Sequence, residues 1–190
     1  MLLSDELRNC DFGDKRLTQR VMSLADTISE NPECSINAAC GSFAASKAAY
    51  RFFQNAKVNP KAILNGHSVS AYSRIAACAG RILIVQDTTD LIYTQFPSVQ
   101  GLGQRLQARE GFKGGVNGIL LHSSLALSAE GVPLGLLKQT FFTYDQIKEN
   151  RGQDEVNVRG LNKKIPIDQK ASFRWIDHLT ETNETLSSMS

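Results

Sequence analysis

Gly80-Arg81-Ile82-Leu83-Ile84-Val85-Gln86-Asp87-Thr88-Thr89-Asp90 is the stretch at which the chain changes its hydrophobic period. Ile82 to Val85 form an uninterrupted apolar run rich in β-branched residues, which reads as a strand buried on both faces. The run stops at the polar cluster Gln86 to Asp90, so Asp87 is expected at the end of that strand. A carboxylate in such a place is costly to bury unless it is hydrogen-bonded, paired or bound to a metal. Two readings fit the local pattern: Asp87 closes the turn through an Asx bond, with Thr88 and Thr89 as neighbours, or it is a hard oxygen ligand for a divalent cation.

Upstream of Gly80 the chain reads as helical. Leu17, Val21, Leu24 and Ile28 recur at steps of four, three and four, one stripe of a helix that begins after Gly13-Asp14 and ends before Asn31-Pro32. Ser35 to Ala39 is a short helical turn stopped by Gly41, and Ser42 caps a third helix running through Ala44, Ala45, Ala48, Ala49, Phe52 and Phe53. Asn59-Pro60 opens a fourth, lasting to about Ala79. The loops are short, which predicts a compact bundle. Arg16 and Arg20 stand four residues apart, and Lys47 and Arg51 repeat that spacing on the third helix. Two basic faces side by side can straddle phosphates, whereas each pair taken alone also fits an ordinary solvated face. Tyr50, Phe52 and Phe53 read as core packing rather than as a base-stacking platform.

Downstream, Gln95 to Gly115 is irregular, Gly118 to Leu127 reads as a second strand and Pro133 to Thr143 as a third. Glu130-Gly131 makes the turn between them, so these two strands form a hairpin. Residues 144–169 are polar and without period, a loop or an insertion, and Ala171 to about Leu186 is helical.

A length of 190 residues, with 42% hydrophobic and 21% charged side chains, excludes a disordered tail, a collagen-like repeat and a fibrous heptad protein. The formal charge of +2 is too small to identify a partner. No apolar run approaches the roughly 20 residues of a membrane span. The first residues are acidic where a secretory signal is basic, so a cytoplasmic chain is expected. Cys10, Cys34, Cys40 and Cys78 lack the paired spacings of a zinc or redox site, and His67, His122 and His178 are equally scattered. Reduced thiols follow.

Five short motifs occur in a fixed order: Gly13-Asp14-Lys15-Arg16-Leu17, Ala48-Ala49-Tyr50-Arg51-Phe52-Phe53, Val85-Gln86-Asp87-Thr88-Thr89, Leu120-Leu121-His122-Ser123 and Pro133-Leu134-Gly135-Leu136-Leu137. In that order and at those spacings, from about residue 11 to about residue 180, the chain resembles the N-terminal part of the insertion-sequence-four type of bacterial DDE transposases. The resemblance implies an α+β chain: a helical transposon-end DNA-binding domain at 1–78, then an incomplete ribonuclease-H-like mixed α/β domain at 79–190. It implies that Arg16, Arg20 and Arg51 contact the transposon end. It also implies that Asp87 is the first carboxylate of the catalytic triad and a metal ligand, with Thr88 supporting it, in a site that uses Mg²⁺ for phosphoryl transfer.

The family's second aspartate and its glutamate have no matching motif here, since the chain ends just after Ser172-Phe173-Arg174-Trp175. One carboxylate does not assemble a two-metal site, so the chain alone is expected to bind double-stranded DNA ends without cutting them. The expected partners are that DNA, a second copy of the chain, or a full-length transposase. One alternative is a regulatory DNA-binding fragment that inhibits the full-length enzyme. Another is a small metal-dependent nuclease in which Asp87 and Asp90 work with Asp145 or Asp168. An incomplete sheet is further expected to leave Ile82 to Val85 and Ile119 to Leu127 partly uncovered.

Overall fold

Local capping chemistry fixes the helices of the N-terminal region. In the computed structural model, which describes residues 3–96, 98–105, 116–143, 146, 166–170 and 172–187, five helices come first: α1 (Leu3–Leu7), α2 (Lys15–Glu30), α3 (Ile36–Cys40), α4 (Phe43–Phe53) and α5 (Pro60–Ala77). Four of them start on a side chain that accepts a bond from an orphan backbone N–H. The acceptors are Asp14 for Arg16 (3.0 Å), Ser35 for Ala38 (3.3 Å), Ser42 for Ala45 (3.2 Å) and Asn59 for Ala62 (2.9 Å). Each such cap stabilises its helix by about 1 kcal/mol. Gly41 ends α3 in the left-handed region at φ 66°, and Ser42 then begins α4 at once.

The chain divides into two compact units, one of Met1–Leu83 with Ala126–Leu137 and one of Ile84–Leu125 with Lys138–Ser190. In the first, the core is Cys10, Phe12, Val21, Leu24, Ala49 and Phe52, ringed by half-buried Leu7, Leu17, Met22, Val58 and Ile63. The Leu17, Val21, Leu24 stripe of α2 therefore faces inward, while Ile28 at its end is 37% exposed. Phe12 and Phe52 meet edge to face at 5.8 Å between ring centroids. The Arg74 guanidinium on α5 donates to both oxygens of Glu6 on α1 (2.6 and 2.9 Å) and to the Leu134 carbonyl (2.6 Å). His67 accepts from the Leu136 N–H at 3.0 Å and pairs with Glu6 at 2.9 Å. Hydrogen bonding from Arg74 holds the Glu6 carboxyl below the usual carboxylate range.

The strands are β1 (Ile82–Ile92), β2 (Gly103–Arg105), β3 (Val116–Ser128) and β4 (Pro133–Phe142), and a last helix, α6, runs over Phe173–Ser187. They form one four-stranded sheet in which β3 pairs with each of the others. β2 lies antiparallel to β3, with Gln104 opposite Asn117. β3 and β4 form the expected hairpin, closed by a bond from Ser128 N–H to Val132 O at 2.9 Å. The chain is thus α+β.

β1 differs from the strand expected at Ile82 to Val85. It is 11 residues long and runs through the polar cluster to Ile92, with faces that alternate instead of both being buried. Leu83 and Val85 are 42% and 46% exposed. The polar residues stay in the strand because β3 offers them partners, as Thr88 and Gln86 both hydrogen-bond His122. Most of the 144–169 segment, Asp145 included, lies outside the described residues, and Asp168 sits in an exposed 3-10 turn.

α5 passes so close to the α1–α2 connection that a Cβ on Gly66 would stand 2.5 Å from Cys10 N and 2.7 Å from its Cα. Gly66→Ala should therefore lower stability by about 1–3 kcal/mol, the usual cost of overpacking against backbone, read as a lower urea midpoint with an unchanged slope.

Candidate nucleic-acid interface

The four cations singled out by spacing meet in the first unit. A groove of about 450 Å³ between α2 and α4 is lined by Arg16, Leu17 and Arg20 on one wall and by Ala44, Lys47, Ala48 and Arg51 on the other. The apolar stripe of each helix builds this arrangement. Turning Val21 and Leu24 of α2, and Ala49 and Phe52 of α4, into the core leaves the cations at the rims. All four cationic residues are exposed.

Among the described residues Arg20, Lys47 and Arg51 make no ion pair, whereas Arg16 is held by Asp14 through two bonds of 3.1 and 2.9 Å. That arginine's side-chain and backbone hydrogen bonds hold the Asp14 carboxyl down at about 2. Asp14 thereby caps α2 and fixes the direction of the Arg16 guanidinium, whose side chain is 89% exposed. A groove floored by small apolar residues and rimmed by cations suits a phosphodiester strand, because each neutralised phosphate releases counterions.

A second groove, of about 750 Å³, lies on the other flank of α4 and is lined by Asn37, Ser42, Phe43, Ser46, Tyr50 and Gln54, with Lys47 and Arg51 shared between the two. Here the aromatic residues depart from their reading as core. Phe52 is buried at 2% exposure, but Tyr50 and Phe53 are 45% and 48% exposed, and Phe43 is 84% exposed. Composition alone could not separate them, since α4 carries aromatics on several sides. The usable signal was the step of four and then three residues from Phe43 through Lys47 to Tyr50, which puts a cation and two aromatics on one stripe.

In the second unit, Asp87 lies mid-strand on β1 rather than at a strand end, and its side chain is exposed. Bonds from Tyr93 N–H to Asn117 O, and between Thr88 and His122, set an antiparallel register that brings Asp87 level with Ser123 on β3. Ser123 accepts a bond from the Gln139 amide of β4 at 3.3 Å. A polar row, Asp87, Ser123 and Gln139, thus crosses three strands between apolar neighbours. Thr88 points to the opposite face, as does half-buried Asp90, so neither shares the face of Asp87. Among the described residues no group of three acidic, histidine or cysteine side chains is placed to hold a metal ion. A Mg²⁺ ion prefers octahedral oxygen ligands, and one carboxylate beside a neutral hydroxyl and an amide does not make its site here.

The face opposite Asp87 is covered by α6 through a histidine pair. His122 bonds Thr88 at 2.7 Å and Gln86 at 3.2 Å, and His178 bonds Ser124 at 2.9 Å and Thr140 at 2.8 Å. The two rings lie 4.5 Å apart, both fully buried, with Trp175 against His122 at 4.7 Å. Lys138 of β4 ties the same helix down through Asp177 (2.8 Å) and Glu181 (2.7 Å). Nothing in the sequence links His122 to His178, and only the packing of α6 on the sheet brings them together.

Residues 2–58 match the family model described as Transposase DNA-binding. That segment contains α1 to α4 and all four cations of the groove. The N-terminal part of the chain is therefore similar to a transposase DNA-binding domain, which supports DNA as its partner. No curated protein matches the chain. Among the described residues no helix is long and apolar enough to cross a membrane.

Burial first, then the charges of Lys138 and His122, push His178 down from 6.5 to about 4. A histidine whose folded value is depressed contributes its full share of stability above the unfolded value and loses it as pH falls toward the folded one. The thermal midpoint should hold from pH 8 to about 6.5 and decline between about 6.5 and 4. His178→Gln should flatten that decline while lowering the midpoint at pH 7.5, as read by thermal melts at half-unit pH intervals.

Proposed function

We propose that this chain binds a transposon end as the N-terminal part of an insertion-sequence-four type DDE transposase, with Arg16, Arg20, Lys47 and Arg51 on the phosphates. The observation that carries the reading is the convergence of four cations from two helices on one groove, inside the segment that matches the transposase DNA-binding family. Spacing along the sequence paired them only two by two.

In this reading the second unit begins the ribonuclease-H-like catalytic domain, and Asp87 is the first of its three carboxylates. Three observations support it: an antiparallel succession of β1, β3 and β4, a helix packed on one face, and an acidic side chain exposed mid-strand on the other. Thr88 then serves Asp87 by fixing β1 against β3 through His122, not by touching a shared ligand. Mg²⁺ is the cofactor that the complete family site would use, with Asp87 as one of its ligands. A second reading is favoured by Asp87 being the one carboxylate on its sheet face among the described strand residues. In it the chain occupies a DNA end without cutting it, and competes or pairs with a full-length transposase.

A duplex-binding titration of the full chain tests both. Affinity should fall steeply between 50 and 200 mM salt, on the order of tenfold or more for a few phosphate contacts. Arg20→Ala, Lys47→Ala and Arg51→Ala should each weaken binding and reduce the slope of log K against log salt by about 1. Salt-independent binding, or slopes untouched by these variants, would exclude the groove as the phosphate site. Adding Mg²⁺ should leave the duplex intact, and nicking by the chain alone would favour the nuclease alternative.

A further inference from the structure

The turn end of the β3–β4 hairpin, Ala126–Leu137, belongs to the same compact unit as the helices. Three half-buried ionisable side chains hold it there: Glu6 on α1, and His67 and Arg74 one and two turns apart on α5. The hairpin meets them with backbone. The Leu134 carbonyl accepts from Arg74 Nε at 2.6 Å, and the Leu136 N–H donates to His67 Nε2 at 3.0 Å. Gly135 lies between these two bonds at φ 141°, and a Cβ there would stand 2.5 Å from the Ala71 Cβ and 3.0 Å from His67 Nε2. The start of β4 therefore rests directly on α5, with Ala71 and Leu134 buried.

The direction of each bond fixes the proton of the ring. A backbone N–H only donates, so Nε2 carries no proton, and Nδ1, 2.9 Å from a Glu6 carboxylate oxygen, carries the single proton of a neutral imidazole. Arg74 keeps Glu6 ionised, so that acceptor is constant. A second proton has only Nε2 to go to, where it would point at the Leu136 N–H. We infer that Glu6, His67 and Arg74 form a proton-operated latch: the neutral ring holds the start of β4 on the helical unit, and a proton on Nε2 releases it. Among the described residues the charged groups facing the ring are Glu6 from α1 and Arg74 from α5, and the hairpin adds backbone alone. Burial comes first and, with the charge of Arg74, outweighs the pull of Glu6, so the ring sits below the usual 6.5. The latch is thus closed at pH 7 and above and opens as pH falls below 6.5, leaving the Arg74 bond to Leu134 as the remaining polar attachment. Glu6 lies within the matched segment 2–58, whereas His67, Arg74 and β4 lie beyond it, so the state of the latch is a property that segment lacks by itself.

The test is nuclear magnetic resonance of the full chain, labelled with ¹⁵N and free of nucleic acid. Long-range proton–nitrogen spectra read which ring nitrogen of His67 carries the proton and follow its titration, and hydrogen exchange reads the protection of the Leu136 amide, with the buried Val21 amide of α2 as reference. At pH 7.5 the proton should sit on Nδ1. As pH falls through the midpoint of His67 itself, the protection of Leu136 relative to Val21 should drop about tenfold, the worth of one buried hydrogen bond. His67→Gln supplies a carbonyl oxygen for Leu136 and an N–H for Glu6 but does not titrate, so it should hold Leu136 protected across the same range. A proton on Nε2 at pH 7.5, a midpoint above 6.5, a Leu136 amide that merely tracks Val21, or a step that survives in His67→Gln would each overturn the latch. The first three readings come from the unaltered chain and stand whether or not the variant folds.

Discussion

The edge-to-face contact of Phe12 and Phe52 is the constraint on which the N-terminal unit depends. Phe52 fixes the rotation of α4 about its own axis, because it alone of the helix's four aromatic residues is buried. Once Phe52 and Ala49 are inside, Lys47 and Arg51 are forced to the flank that faces α2. The stripe of α2 acts in the same way on Arg16 and Arg20. A basic groove is therefore a by-product of core packing, and its cations are placed by residues buried behind them. Truncating Phe52 would remove on the order of 3–5 kcal/mol and the alignment of the cations with it.

The sheet shows a different logic. Its two faces are unlike: one is closed by α6 over two neutral histidines with hydroxyl partners, the other presents Asp87, Ser123 and Gln139 among Leu83, Val85 and half-buried leucines. The buried hydroxyl and imidazole network ties three strands to one helix. Its members are polar and must all be satisfied, so they fix the register of β1 more tightly than an apolar layer would. A one-residue slip would carry Asp87 to the histidine face and Thr88 to the other.

Local chemistry was legible in the sequence and distant pairing was not. Asp14, Ser35, Ser42 and Asn59 announce their helices because a cap needs only the next two or three residues. The hairpin of β3 and β4 was readable for the same reason, from Glu130-Gly131 between two apolar runs. The spacings of Arg16 with Arg20 and of Lys47 with Arg51 gave each pair a face, but only the packing of α2 on α4 put the faces across one groove. The length of β1 was missed because its polar half is kept in the sheet by His122, 34 residues or more away. The exposure of Tyr50 and Phe53 was missed because an alanine-rich helix does not say which of its aromatic sides meets the core.

The exposed flank of α4 also bears on how this helix tolerates change. Phe43, Tyr50 and Gln54 stand outside the core, and the capping of α4 rests on Ser42. Most substitutions there leave folding intact, while the neighbouring Ala49 and Phe52, both buried, admit few. That flank of α4 can therefore change in sequence with the scaffold left as it was. A single three-turn helix thus keeps the residues that determine its packing and those free to vary on opposite sides.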